Sequence, residues 1–351
     1  MSNLRIVIAT VQVPFVHGGA EIHAEELRAA LCRAGHDVDI VFIPFKWYPP
    51  RRILDCMLAC RLFDLSESSG TKIDRLIGLR FPAYLIPHPH KTLWILHQHR
   101  AAYDMWDNQM GDLVHDPEGA VVRSSIMAAD KAIIPEARAV YTNSGNVSAR
   151  LKKYCDIDAP PLYHPPRNAE AFYTAPAKDY LFFPSRLWPV KRQSLVLEAL
   201  AKVRESVVVY FAGEADSRSY EFELKNMAHK LGIDHRVRWL GLVSEKEKIE
   251  LYAKAIGVLY PPIDEDYGYV TLEAMLAGKP VITCSDSGGV LEFVRHRETG
   301  LVAEATAVSL AQAIDELWQN REKAAKWGIA GRSYYQDCNI TWQKVIEKLL
   351  I

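Results

Sequence analysis

At 351 residues the chain is long for a single core and suits two domains of roughly 150 to 200 residues each. Its 42 basic and 43 acidic residues nearly cancel, which excludes electrostatic capture of nucleic acid or another polyanion as a leading function. Six cysteines without paired spacing read as reduced thiols, and the apolar run after Met1 is too short for a secretory segment or a membrane span, so a cytoplasmic protein is expected.

In chain order, the pattern predicts a strand over 4–10 and a helix over 21–34, in which Ala24, Leu27, Leu31 and Ala34 recur at 3-4-3 spacing. Gly35 caps that helix, and a second strand follows over 37–43. A right-handed crossover makes this an α/β unit. The loop between the first strand and the helix, His17-Gly18-Gly19-Ala20-Glu21, lacks the G-x-G-x-x-G spacing of dinucleotide folds, which argues against NAD or FAD. A glycine pair there still lets backbone come close to a ligand.

Residues 45–63 combine Phe45, Lys46, Trp47, Tyr48, Arg51 and Arg52 with an apolar set that includes Met57, Leu58 and Leu62. Two readings stand side by side: peripheral docking on the inner face of a membrane toward a lipid-linked acceptor, or a core-packed helix with its arginine pair in solvent. A strand over 92–97 ends in His97-Gln98-His99-Arg100, which places His97 at the strand end where an α/β sheet presents its ligands; taken alone, such a histidine is more often a hydrogen-bonded core or rim residue. Between 156 and 176 the chain carries Pro160, Pro161, Pro165, Pro166 and Pro176, a composition that stiffens a connector.

Beyond the connector, strands are expected over 181–183, 207–212, 237–240, 256–260, 281–283 and 301–303, alternating with helices, one of which opens with the capping box Ser244-Glu-Lys-Glu247. This is a second doubly wound domain. The loop from Pro184 to Lys191 leads into a helix over 192–204 and sets Arg186 and Lys191 at its N-terminus; two loop cations can equally be a solvated face.

The most informative segment runs from Tyr260 to Gly278. Two carboxylates, Glu265 and Glu273, flank the turn Tyr267-Gly268-Tyr269, after which 271–277 forms a short helix that stops at Gly278, with Glu273 in its first turn. A helix N-terminus beyond a strand offers free N–H groups to phosphate, and a carboxylate beside it can accept both hydroxyl hydrogens of a vicinal diol, so the arrangement suggests a nucleotide. Taken singly, Glu273 could merely complement the helix dipole and Glu265 could be a solvated loop acid.

Proline pair, Glu265, aromatic-glycine, Leu272-Glu273-Ala274-Met275, Gly278-Lys-Pro-Val-Ile and Ser287-Gly288-Gly289-Val-Leu-Glu292 follow one another in an order that resembles the Glu-x7-Glu signature of the retaining glycosyltransferases of family 4, the glycosyl transferases group 1. Asp266 stands where that family more often has glycine. The resemblance implies an α/β, GT-B fold, two Rossmann-like doubly wound domains facing across a cleft. It divides the chain into 1–170 for the acceptor, 171–335 for the nucleotide-sugar donor and a helix over 336–351 returning to the first domain. It also implies a retaining, metal-independent enzyme that moves a sugar from a nucleotide-diphosphate sugar, UDP- or GDP-linked, to a glycan or lipid-linked acceptor. No cofactor and no metal are implied.

By the same resemblance Glu273 binds the ribose, Arg186 and Lys191 take the diphosphate, and Glu265 engages the donor sugar. His97, with His99 second, touches that sugar near its anomeric carbon. Gly18 and Gly19 face the donor phosphates and acceptor, backbone near Val243 reads the base, and amides of Gly268, Tyr269 and Val270 assist at the helix start. Two rivals remain: a non-hydrolysing nucleotide-sugar 2-epimerase, which needs no acceptor, and a noncatalytic sugar-nucleotide-binding protein.

Overall fold

Runs rich in β-branched and aromatic residues and buried on both faces make the strands: Ile6, Ile8 and Ala9 in the first, and Leu181, Phe182 and Phe183 in the eighth, are all 1% exposed or less. The structure is a computed structural model that describes residues 3–15, 18–106 and 111–351; His17 of the glycine loop lies outside them. The chain divides into two compact units, one of residues 1–167 with 341–351 and the other of residues 168–340.

The first unit begins β1 (Arg5–Gln12), α1 (Gly19–Arg33), β2 (Asp37–Pro44), α2 (Arg51–Leu62). A small hairpin of β3 (Glu67–Ser68) and β4 (Thr71–Lys72) precedes β5 (Arg75–Arg80), β6 (Lys91–His97), α3 (Gly119–Ile133), β7 (Ala139–Thr142) and α4 (Gly145–Cys155). Its five-stranded sheet has the order β2-β1-β5-β6-β7 and is parallel throughout. Strand order reverses direction between β1 and β5, which opens a crevice at their carboxyl ends. α2 buries Ile53, Met57 and Cys60 and turns Arg51, Arg52, Leu58 and Leu62 to solvent.

The second unit holds β8 (Leu181–Pro184), α5 (Gln193–Leu200), β9 (Val209–Ala212), α6 (Arg218–Lys230), β10 (Val237–Gly241), α7 (Glu245–Lys254) and β11 (Gly257–Leu259). It ends with α8 (Tyr269–Leu276), β12 (Val281–Cys284), β13 (Gly300–Ala303), α9 (Ala307–Gln319) and α10 (Arg321–Asp337). Six parallel strands run β10-β9-β8-β11-β12-β13, with the reversal between β8 and β11. The last helix, α11 (Trp342–Leu349), belongs to the first unit, where Val345, Ile346 and Leu349 join Leu27 and Leu31 of α1 in one core.

Several expected bounds shift: the helix expected over 336–351 is α11 alone, since α10 runs to Asp337 and the chain turns at Asn339 (φ +48°) before the Thr341 N-cap, and two further shifts have identifiable reasons. α5 ends at Leu200 rather than 204 because the backbone N–H groups of Arg204 and Glu205 turn to the carboxylate of Asp315, at 3.1 to 3.3 Å. α8 starts at Tyr269 rather than 271 because Gly268, at φ +75°, already serves as its left-handed N-cap. Glu273 therefore sits in the second helical turn, not the first. Among the described residues no helix is long and apolar enough to cross a membrane.

Candidate active site

The reversal between β8 and β11 brings together the loop after each strand. Lys191 closes the single 3-10 turn Pro189–Lys191 after β8 and donates from Nζ to Oε2 of Glu265, which follows β11, and to the Tyr260 hydroxyl at 3.2 Å. Burial, with the Glu265 carboxylate beside it, holds the Tyr260 phenol well above its ordinary range, so it stays a neutral neighbour of the ion pair. The backbone around Glu265 is fastened from both sides. Ile263 N–H donates to Val190 O at 2.8 Å, Asp264 N–H to Asp286 O at 2.9 Å, and Gly289 N–H to Glu265 O at 2.7 Å. Arg192, at φ +60°, grips Asp286 with both guanidinium nitrogens at 2.6 and 2.5 Å. The two loops thus form one ordered rim, the condition for a carboxylate held where charge is to develop.

Arg186 stands on the same rim but is held loosely: its side chain is 47% exposed, 3.9 Å from Asp216, with its guanidinium 5.5 Å from the Trp188 ring centre. A half-exposed fork beside a fixed lysine suits a flexible polyanionic group. Gly213, at the end of β9, lies at φ +147°, where a Cβ would stand 2.3 Å from Ser185 O, so only glycine admits the Ser185-Arg186 backbone this close.

Glu273 is 7% exposed and both its oxygens have donors. Lys248 Nζ reaches Oε1 at 2.9 Å and the Tyr252 hydroxyl reaches Oε2 at 2.7 Å. Lys248 also meets Glu245 at 3.1 Å; burial pulls its ammonium down, yet the Glu273 and Glu245 carboxylates outweigh this and hold it above its ordinary value. Each oxygen of Glu273 keeps one lone pair for a further hydroxyl. Sequence reasoning missed Lys248 and Tyr252. Their i, i+4 spacing on α7 was the available signal, since it sets both on one helix face.

Tyr269 and Val270 open α8 behind Gly268. Val243 follows β10 in a loop bordered by two cavities, one of about 430 Å³ lined by Tyr180, Tyr210 and Val243, the other of about 390 Å³ lined by Leu187, Gly213 and Trp239. The second cavity borders the carboxyl ends of β9 and β10, and the first extends from Leu242 and Val243 back to Tyr180, which precedes β8.

In the first unit, Gly18 is the N-cap of α1 and its N–H donates to Glu21 Oε2 at 2.8 Å, while Arg80 at the end of β5 reaches Glu21 Oε1 at 3.0 Å. Gly18 has extended backbone at φ −153°, and a Cβ would meet Glu21 at an ordinary 3.5 Å, so its own conformation does not require glycine. Gly19 is the first residue of α1. His97 is half-buried at the end of β6, its Nδ1 2.7 Å from the Gln98 carbonyl. His99 is instead a packing residue: it lies against Phe45 and Phe81 at 6.1 and 5.5 Å between ring centres, and burial lowers its pKa to about 4.

Residues 168–334 match the model of the family described as glycosyl transferases group 1. That segment belongs to the family. The alpha-1,3/1,6-mannosyltransferase ALG2 of Homo sapiens is 36% identical over 156 residues, which are 41% of this chain and 37% of that protein. The GDP-mannose-dependent alpha-(1-6)-phosphatidylinositol monomannoside mannosyltransferase of Mycobacterium tuberculosis is 35% identical over 158 residues, 43% of this chain and 41% of that protein. The chain thus spans about two fifths of the length of these curated relatives. Among solved structures, Alr3699/HepE of Anabaena in complex with UDP-glucose aligns with 99% of this chain and 98% of its own, at a TM-score of 0.73 and 18% identity. Structural neighbours of the chain have the GT-B fold, and its two Rossmann-like units carry the α/β architecture of that fold.

Proposed function

We propose that the chain is a retaining glycosyltransferase that moves a sugar from a nucleotide-diphosphate sugar to a hydroxyl of a glycan or lipid-linked acceptor. The observation that carries the reading is the rim at the β8/β11 reversal, where Lys191 meets Glu265 with Arg186 alongside. Arg186 and Lys191 take the diphosphate and offset the charge that grows on the leaving phosphate, which makes a metal ion unnecessary for that step. Glu273 accepts the ribose hydroxyls. As phosphate draws Lys191 away, Glu265 is released to the sugar hydroxyls. His97 and the Gly18-Gly19 loop serve the sugar and the acceptor from the first unit.

Retention follows if the acceptor hydroxyl attacks on the face from which the phosphate departs, its proton passing to a departing phosphate oxygen. The two mannosyltransferase relatives support a mannosyl donor, and GDP-mannose is the first to test.

Saturation-transfer NMR of the purified chain with GDP-mannose, UDP-glucose and ADP-glucose is expected to show signals from one of them. With an acceptor, the product keeps the donor's anomeric configuration. Glu265→Gln lowers turnover by about 100-fold or more while nucleotide affinity changes little. Silence from every nucleotide sugar overturns the proposal; an isomerised nucleotide sugar formed without acceptor replaces it with the epimerase reading.

A further inference from the structure

The carboxyl edge of the first unit's sheet holds a cavity of about 620 Å³ that none of the roles above uses. It falls within the ~300 to 1,000 Å³ range of small-molecule clefts. Pro14 beyond β1, Phe45, Lys46, Trp47 and Tyr48 beyond β2, and Arg52 on the first turn of α2 contribute to its lining. Ligands of open α/β sheets gather at this edge, and the Gly18 loop leaves from the same strand end as Pro14.

Three features mark it as a binding surface rather than a piece of core. Trp47 and Tyr48 meet edge to face at 5.3 Å between ring centres, yet Tyr48 is 58% exposed and Trp47 only half-buried, so two apolar ring systems are kept partly in water. Phe15, next to Pro14, is wholly exposed and held at φ +66°, a left-handed conformation that costs a side-chain-bearing residue roughly 1 to 2 kcal/mol. The charge here also has a basic excess, although Asp55 shares the lining. Arg52 pairs with Asp55 at 3.0 Å, but among the described residues neither Lys46 nor Arg51 has a carboxylate partner, and the Lys46 ammonium sits 4.8 Å from the Tyr48 ring centre.

Aromatic faces accept the C–H side of a pyranose, and a lysine point charge beside an arginine fork accepts phosphate. We propose that this cavity binds the acceptor as a glycosyl phosphate, its sugar against Trp47 and Tyr48 and its phosphate between Lys46 and Arg52. The proposal rests on the glycosyltransferase reading and names the substrate class that reading leaves open.

Calorimetric titration of the full chain with mannose 1-phosphate tests it, with methyl α-mannoside and inorganic phosphate as controls. The glycosyl phosphate is expected to bind at least tenfold tighter than either control. Trp47→Ala and, at an exposed position, Lys46→Glu should each cost tenfold or more while leaving nucleoside-diphosphate affinity within twofold. Equal binding of the neutral mannoside, or affinity that survives both substitutions, overturns the proposal.

The phosphate can come from a soluble or a lipid-linked glycoside. The same head group on a dodecyl tail in phosphatidylcholine vesicles separates them: a gain in affinity removed by Leu58→Ser with Leu62→Ser assigns a lipid-linked acceptor, and no gain assigns a soluble one. Capture by sugar-free anionic vesicles that disappears on Arg51→Glu with Arg52→Glu also overturns the proposal, by making the patch a membrane-docking surface. Nucleoside diphosphate binding without glycosyl phosphate binding removes this cavity and leaves the donor reading standing; the converse removes the donor reading alone.

Discussion

Lys248 and Tyr252 decide how Glu273 can work. With one donor on each oxygen, the carboxylate cannot rotate without breaking a hydrogen bond in a buried site, so its two remaining lone pairs point in fixed directions. If Glu273 takes the ribose as proposed, Lys248 and Tyr252 are positioning residues for its diol. Lys248→Met should weaken binding of a ribonucleoside diphosphate about tenfold, roughly 1.4 kcal/mol, and leave the 2′,3′-dideoxy analogue unaffected. Competition binding of the two nucleotides to both proteins measures this. Equal losses for both would assign Lys248 to general stability; a wild type indifferent to the missing hydroxyls would remove Glu273 from the ribose. Lys191 is the counterpart on the neighbouring loop, where its ion pair fixes Glu265 before any phosphate arrives.

At the scale of elements, the site depends on how α8 begins. Gly268 adopts φ +75°, and an added Cβ would lie 3.0 Å from Val290 Cγ2, so Gly268→Ala meets both backbone strain and crowding. The expected cost is about 1 to 3 kcal/mol, each kcal/mol appearing as roughly 2 to 4 °C in the melting temperature of a unit this size. The same substitution should lower donor affinity, because it rotates the first amides of the helix away from their present direction. A thermal melt paired with nucleotide titration checks both; an unchanged melting temperature would show that the left-handed cap is dispensable. α7 contributes differently. Its capping box, Ser244 with Glu247, fixes the start of the helix that carries Lys248 and Tyr252, so local helix chemistry sets the reach of those two side chains.

For the molecule as a whole, the buried ionisable groups of the first unit set an acid limit. His23 and His164 lie 2.9 Å apart, beside Trp94 and beneath Trp342, and burial lowers His23 to about 3 and His164 well below its ordinary range. His99 is lowered to about 4. All three are neutral in the folded unit and titrate near 6.5 once unfolded, so their stabilisation is complete above 6.5 and is lost as the pH falls toward the folded values. Asp130 opposes them. It is buried, accepts from Tyr84 at 2.8 Å and Tyr103 at 2.7 Å, and burial raises it to about 6, so its protonation favours the folded state below that pH. Near pH 5 three protons taken up on unfolding are set against one released, a net of two. Stability should therefore fall by up to about 2.7 kcal/mol per pH unit there. Urea midpoints measured from pH 7.5 to 5 should drop steeply; a flat profile would contradict this.

The motifs of the second unit were readable because they are local. The turn at Gly268, the Glu265/Glu273 spacing, the Ser244 box and the buried strand runs each depend on neighbours a few residues away, and each stands where expected, apart from Glu273 moving by one turn. β5 and β7 were not readable. β5 carries a glycine amid arginine-flanked apolar residues, because Gly78 must admit Leu93 and Tyr84 within 2.9 Å of where a Cβ would lie, and β7 leaves Ala139, Val140 and Tyr141 only partly buried, so it carries no continuous buried run. Lys248 escaped notice because its partner is 25 residues away on another helix.

By itself the sequence determined two doubly wound units and the residue types gathered on the loops after β8 and β11, since periodicity and caps act along the chain. Only the tertiary structure decided that both strand orders reverse at β1/β5 and β8/β11, and that Lys191 meets Glu265 across 74 residues. Those depend on which faces bury against which, and no local pattern carries that information.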